Sequence, residues 1–153
     1  MNAHHGHREV WFRPQIQDTD IVLEPCAGQG AFERAFLSNG ITNVRSCEIT
    51  RGQDFFQFTK PVDWLITNPP WSLTRRFLQH SYTVASNSVW LVTISHILAL
   101  EARLRDMRTA GYGIKEILLC ATPPMPWPQS GFQLGVCHLQ RGWSGPIQFG
   151  NHL

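Results

Sequence analysis

Short apolar runs rich in β-branched residues alternate along the chain with longer stretches in which apolar side chains recur every three or four positions. The first run, Ile21-Val22-Leu23, stops at Glu24-Pro25, and Gly28 and Gly30 punctuate the turn that follows. Residues 31–38 then place Ala31, Phe32, Ala35, Phe36 and Leu37 on one broad face before the stop signal Asn39-Gly40, which predicts a helix. Further strands are expected at 43–49 and 63–68. Ser72 is suited to cap a helix to about Ser86, with Leu73, Phe77, Leu78, Val84 and Ala85 near one face. Residues 89–94 read as a buried strand, and Ser95 opens a helix carrying Ile97, Leu98, Leu100, Leu104 and Met107 until Gly111 ends it. Strands at 114–119 and 132–139 complete the pattern. Between them Pro123, Pro124, Pro126 and Pro128 crowd around Trp127, so residues 122–131 must form a loop.

Strands alternating with helices imply crossover connections, hence an α/β fold with a mostly parallel sheet and helices on both faces. The last two strands have no helix between them, so an antiparallel C-terminal strand is expected. Only 14 residues separate Glu48 from Asp63, too few for a full strand and crossover helix. The region where a doubly wound fold carries its third strand must therefore be abbreviated. At 153 residues, 42% of them hydrophobic, the chain is expected to be one domain with a real core. Lys and Arg number 13 against 11 Asp and Glu, a balance that leaves a nucleic-acid partner undecided because phosphate binding shows as a clustered basic face. Cys26, Cys47, Cys120 and Cys137 are too scattered for a zinc site or a disulfide framework, so free thiols in a reducing compartment are expected, and no metal. No apolar signal core or membrane-length stretch is present in the sequence, so a cytoplasmic protein without a membrane partner is the reading. Residues 1–8, with His4, His5 and His7, read as a disordered, solvated terminus.

In such a sheet ligands bind at the carboxyl ends of the strands. The first strand end is Glu24-Pro25-Cys26-Ala27-Gly28-Gln29-Gly30, whose glycines let backbone approach a ligand just before a helix. Position 33, where a dinucleotide fingerprint has its third glycine, is Glu33, and its charge is unfavourable beside a pyrophosphate. A cofactor without phosphates fits better. Glu48 lies 20 residues after Gly28, the spacing of an acid that accepts both ribose hydroxyls. Gln53-Asp54-Phe55-Phe56 offers a carboxylate for an exocyclic amine and aromatic faces for an adenine ring. The third strand end runs into Asn68-Pro69-Pro70-Trp71. Its carbonyls, with the Asn68 amide, can accept two hydrogens from a planar NH₂ group and free the nitrogen lone pair for attack, while Trp71 stacks on the ring that carries it.

Together these segments resemble the class I S-adenosylmethionine-dependent methyltransferases, and within them the enzymes that methylate the N6 amine of adenine in DNA. The likeness covers about residues 9–146 and is nearest to small phage-encoded enzymes and restriction-modification relatives. It implies a Rossmann-like fold and S-adenosylmethionine as cofactor. Glu24, Pro25, Ala27, Gly28 and Gly30 match the cofactor turn, Glu48 the ribose acid, and Asp54 and Phe55 the adenine pocket. Asn68, Pro69, Pro70 and Trp71 match the catalytic tetrapeptide, and Phe12, within Trp11-Phe12-Arg13-Pro14, resembles the segment over the cofactor's methionine end. The implied chemistry is direct in-line transfer to a base flipped onto Trp71. Trp127 reads either as a wall of the base pocket or as a loop anchor packed on the core.

The resemblance also implies a target-recognition domain for which the chain has no segment, so a second copy or a recognition subunit is expected as a partner on DNA. Arg75 and Arg76 follow the tetrapeptide closely and are candidate phosphate contacts, Arg75 the first choice. Arg103, Arg105 and Arg108 share one helix, where a solvated face is the favoured reading. Transfer to RNA or to a protein glutamine stays open, as do a catalytically silent cofactor-binding subunit and consumption of the cofactor without methylation.

Overall fold

The computed structural model describes residues 16–152; Phe12, its neighbours and the histidine cluster lie outside them. The elements are β1 (Val22–Glu24), α1 (Ala31–Ser38), β2 (Val44–Ser46), β3 (Val62–Thr67), α2 (Thr74–Val84), β4 (Ala85–Thr93), α3 (Ser95–Leu98), α4 (Glu101–Thr109), β5 (Tyr112–Cys120), β6 (Leu134–Arg141) and β7 (Gln148–His152). The strands form one sheet in the order β2-β1-β3-β4-β6-β5-β7. Only β6 runs against the rest, pairing antiparallel with both β4 and β5. The sheet carries two cores. Leu23, Leu65, Trp90, Val92, Ile117 and Leu139 are buried under α2, α3 and α4, whereas Val22, Trp64, Ile66 and Val89 meet Phe36 of α1 on the opposite face. Strands of three residues are marginal alone. Burying Val22 and Leu23 completely, worth about 1.5–3 kcal/mol each, holds β1 between β2 and β3.

Between β2 and β3 the chain makes two single-turn 3-10 helices, Ile49–Arg51 and Phe55–Gln57, and an isolated Glu48–Gln53 bridge, with neither strand nor crossover helix. This is the abbreviated region that the short spacing demanded.

Three elements differ from the sequence pattern. β4 begins at Ala85, directly after α2, because Ala85 pairs with Val62 and Asn87 with Trp64 although Ala85-Ser86-Asn87-Ser88 carries no apolar strand signal. The helix expected from Ser95 is broken into α3 and α4 by Leu100, which is extended (φ −122°, ψ 108°), while the Arg103 guanidinium donates to the His96 carbonyl. β7 was not visible in the pattern at all. It joins the edge of β5 in parallel, and Gly150 permits the approach, since a Cβ there would lie 2.5 Å from Leu118 Cδ2.

The topology sets the carboxyl ends of β1 to β5 along one edge of the sheet, together with the start of β6, which pairs Leu134 with Cys120. The β5–β6 connection, residues 121–133, crosses that edge. It contains no charged residue and exposes Met125 and Phe132. All four cysteines are free thiols, and no helix among the described residues is long and apolar enough to cross a membrane.

Candidate active site

The turn after β1 is built by backbone and finished by side chains. Ala27 N–H donates to the Cys47 carbonyl (2.9 Å) and Cys47 N–H to the Glu24 carbonyl (2.8 Å), so the turn is locked to the end of β2. Gly28 and Gly30 both take positive φ (53° and 79°), and Gly30 occupies the N-cap of α1. The Glu48 carboxylate receives the Gly28 amide at 2.6 Å and, on its other oxygen, the backbone amide and hydroxyl of Thr50 at 3.0 and 2.9 Å. These donors, Thr50's first, pull its pKa below the ordinary carboxyl value. Arg51 donates to the Gly28 carbonyl at 3.0 Å, so acid and base of one short segment grip the same glycine.

Glu24 is the opposite case. It is 1% exposed, and burial raises its pKa to about 7 against the hydrogen bonds from Thr67 and Cys26. Thr67 Oγ1 donates to Glu24 at 2.7 Å, and the Cys26 amide donates to the same oxygen at 3.0 Å. The Cys26 thiol lies 2.9 Å from Thr67 Oγ1 and donates to the Asn68 carbonyl at 3.4 Å. Burial, then the Glu24 charge, pushes that thiol up to about 12, so it stays protonated and remains a donor. A polar chain thus links the glycine turn to the Asn-Pro-Pro segment.

A cleft of about 630 Å³ opens between these pieces. Gly28 and Glu48 form one part of its lining, Asp54, Phe55 and Phe56 another, and Asn68, Pro69 and Pro70 a third. Pro25 also lines it. Ala27, Gly30 and Glu24 stand behind the wall and shape the turn rather than face the cleft. Asp54 caps the second 3-10 turn by accepting the Phe56 amide at 2.9 Å. Phe55 is 3% exposed and stacked on Phe77 (centroids 5.2 Å, 24°), so Phe56 is the more open ring.

Trp71 lies outside the lining. It packs on the margin of the larger core and tilts against the His96 ring (5.4 Å, 43°), whose Nδ1 pairs with the Thr93 hydroxyl. Burial and then the Arg103 charge lower the His96 pKa. Arg75 is held by Asp106 at 2.9 Å, also outside the cleft. Trp127 sits in the proline-rich loop at the same sheet edge, half-buried, with an indole N–H that has no partner among the described residues.

Ile49, Leu73 and Phe77 line the cleft without having been singled out for it, Gln53 lines it beside Asp54, and of the two arginines after the tetrapeptide it is Arg76, not Arg75, that joins them there. Ile49 directly follows the ribose-acid candidate and is 68% exposed.

The fold is that of a class I methyltransferase, and its cleft lies where that fold binds ligands, at the carboxyl ends of β1 to β3. No protein-family model matches the sequence, and no curated protein matches it. Solved structures share the fold. The chain is similar to a Pyrococcus horikoshii protein described as an RNA methyltransferase (TM-score 0.58, 17% identity, 80% of this chain and 74% of that one). It is also similar to a Vibrio vulnificus YJ016 protein described as the modification subunit of a type I restriction enzyme (0.63, 13%, 90% and 44%). The M protein of the type I restriction enzyme EcoKI is a third (0.56, 11%, 86% and 42%). The chain spans less than half the length of these last two.

Proposed function

We propose that the protein is an S-adenosylmethionine-dependent methyltransferase acting on the N6 amine of adenine in DNA. The observation that carries this reading is the meeting of the Glu48-braced glycine turn with Asn68-Pro69-Pro70 in one cleft. The residues fit the cofactor. Gly28 has no atom within 4 Å of where a Cβ would stand, so its backbone is open to a ligand, and Glu48 is an ionised acceptor beside it. Asp54 with the Phe55–Phe56 turn is suited to the adenine end.

When bound, S-adenosylmethionine supplies an electrophilic methyl on a sulfonium sulfur. Asn68 and the Pro69 carbonyl accept the two hydrogens of the incoming amine, which makes its lone pair available along the line of transfer. Pro69 is buried and Pro70 caps the following turn through its carbonyl to Leu73 N–H (2.9 Å), so the acceptors are held rigidly. The Cys26 thiol fixes the Asn68 carbonyl from behind. Trp71, braced by His96, borders the path of a flipped base, and Trp127 is a second candidate wall. The domain acts with short or relaxed specificity, or with a second copy or recognition subunit; its place of action is the cytoplasm.

Incubation with methyl-labelled cofactor and DNA, RNA or protein, followed by mass spectrometry of nucleosides and peptides, tests the substrate. N6-methyl-2′-deoxyadenosine from DNA is expected. Label confined to RNA or to glutamine side chains overturns the DNA assignment, and cofactor breakdown without any labelled acceptor overturns transfer itself. Asn68→Ala is expected to keep cofactor affinity and lose methyl transfer.

A further inference from the structure

Among the described residues lining the cleft, Arg76 is the sole lysine or arginine. Its guanidinium lies 4.5 Å from the centre of the Phe56 ring and is exposed. The arginines around it are already engaged: Arg51 by the Gly28 carbonyl, Arg75 by Asp106 and Arg103 by the His96 carbonyl. Arg76 has no hydrogen-bond or ion-pair partner among the described residues. A guanidinium stacked through its face keeps its N–H donors free at the rim, in the fork geometry that matches two oxygens of a phosphate. Stacking also restricts the side chain before any ligand arrives, which reduces the ordering that binding must impose.

We propose that Arg76 clamps the phosphodiester flanking the acceptor nucleotide and so sets how the strand enters the cleft. This inference rests on the nucleic-acid reading above and adds the contact that positions the polymer rather than the base. A contact to the backbone confers affinity and register without sequence preference.

The test compares the native chain with Arg76→Gln, Arg76→Lys and Lys60→Gln. Lys60 is exposed at the amino end of β3, away from the cleft, and its loss removes the same formal charge. Binding of a fluorescent adenine-containing oligonucleotide is followed by anisotropy across a potassium chloride series, and binding of S-adenosylhomocysteine by calorimetry. Arg76→Gln is expected to weaken oligonucleotide binding about tenfold at low salt and to flatten the salt slope by roughly 0.7–0.9, the loss of one phosphate contact. Arg76→Lys restores the slope, Lys60→Gln leaves it unchanged, and the S-adenosylhomocysteine affinity is the same in all four. An unaltered slope in Arg76→Gln overturns the inference alone, because the native chain still binds and methylates the strand. Weakened S-adenosylhomocysteine binding in that variant also overturns it, by reassigning the guanidinium to the cofactor. A native chain that binds no oligonucleotide overturns both this inference and the proposed function.

Discussion

Glu24 and Glu48 both end or follow short strands, yet their surroundings drive them in opposite directions. Glu48 collects donors and is ionised, and Glu48→Ala is expected to weaken S-adenosylhomocysteine binding more than tenfold by calorimetry, because Gly28 loses its brace as well as the ligand its acceptor. Glu24 is buried, and its folded pKa of about 7 stands above the ordinary 4.5. Between those values the unfolded chain has released its proton while the folded chain keeps it, so raising pH across that window lowers stability, by about 3 kcal/mol in all. Above about 7 both states are ionised and the loss levels off. Glu24→Gln removes this dependence. Urea unfolding on either side of the window should show a stability gap between variant and native chain that widens in the variant's favour as pH rises.

The elements that assemble the cleft depend on aromatic packing as much as on the sheet. Phe77 of α2 stacks on Phe55 and meets Phe56 edge-on (5.1 Å, 70°), so it fixes the turn that Asp54 caps. Phe77→Ala is expected to cost about 3–5 kcal/mol in denaturant unfolding and to lower cofactor affinity with it. In the β5–β6 loop the unpartnered Trp127 indole N–H favours packing over polar recognition, so Trp127→Phe is expected to melt no lower than the native chain in calorimetry. Local periodicity revealed β1, α1, β3, β5 and β6 because each combines apolar residues with a clear stop. It could not reveal β7, whose Gln148-Phe149-Gly150-Asn151 has no alternation and is fixed by pairing with β5, nor the break at Leu100, where helical spacing continues across two separate helices. The first is settled by a pairing distant in sequence, the second by the contact of Arg103 with the His96 carbonyl within the same stretch.

For the molecule as a whole, the weak net charge of +2 hides an uneven distribution. Arg75, Arg76, Arg103, Arg105 and Arg108 lie on the α2–α4 side, and Asp106 and Glu101 neutralise two of them through ion pairs. A single chain is therefore expected to bind DNA with a shallow salt slope of about 3, measured by anisotropy, and a much steeper slope identifies a second copy on the strand. The cleft was legible in sequence because two of its walls lie at strand ends, where glycine, proline and acid spacing carry the signal, and the third, Asp54 to Phe56, follows closely on the second of these acids. Ile49, Leu73 and Phe77 were not, since an apolar residue facing a ligand is indistinguishable from a core residue until the fold is known. The β5–β6 loop has a consequence for modularity. Its two ends are clamped by the pairing of Cys120 with Leu134, so the length and content of the segment between them leave the register of the sheet untouched. Doubling such a loop adds only about 0.6 kcal/mol of closure entropy. The segment at residues 121–133 can therefore be exchanged as a cassette while the cleft at the ends of β1 to β3 stays as it is.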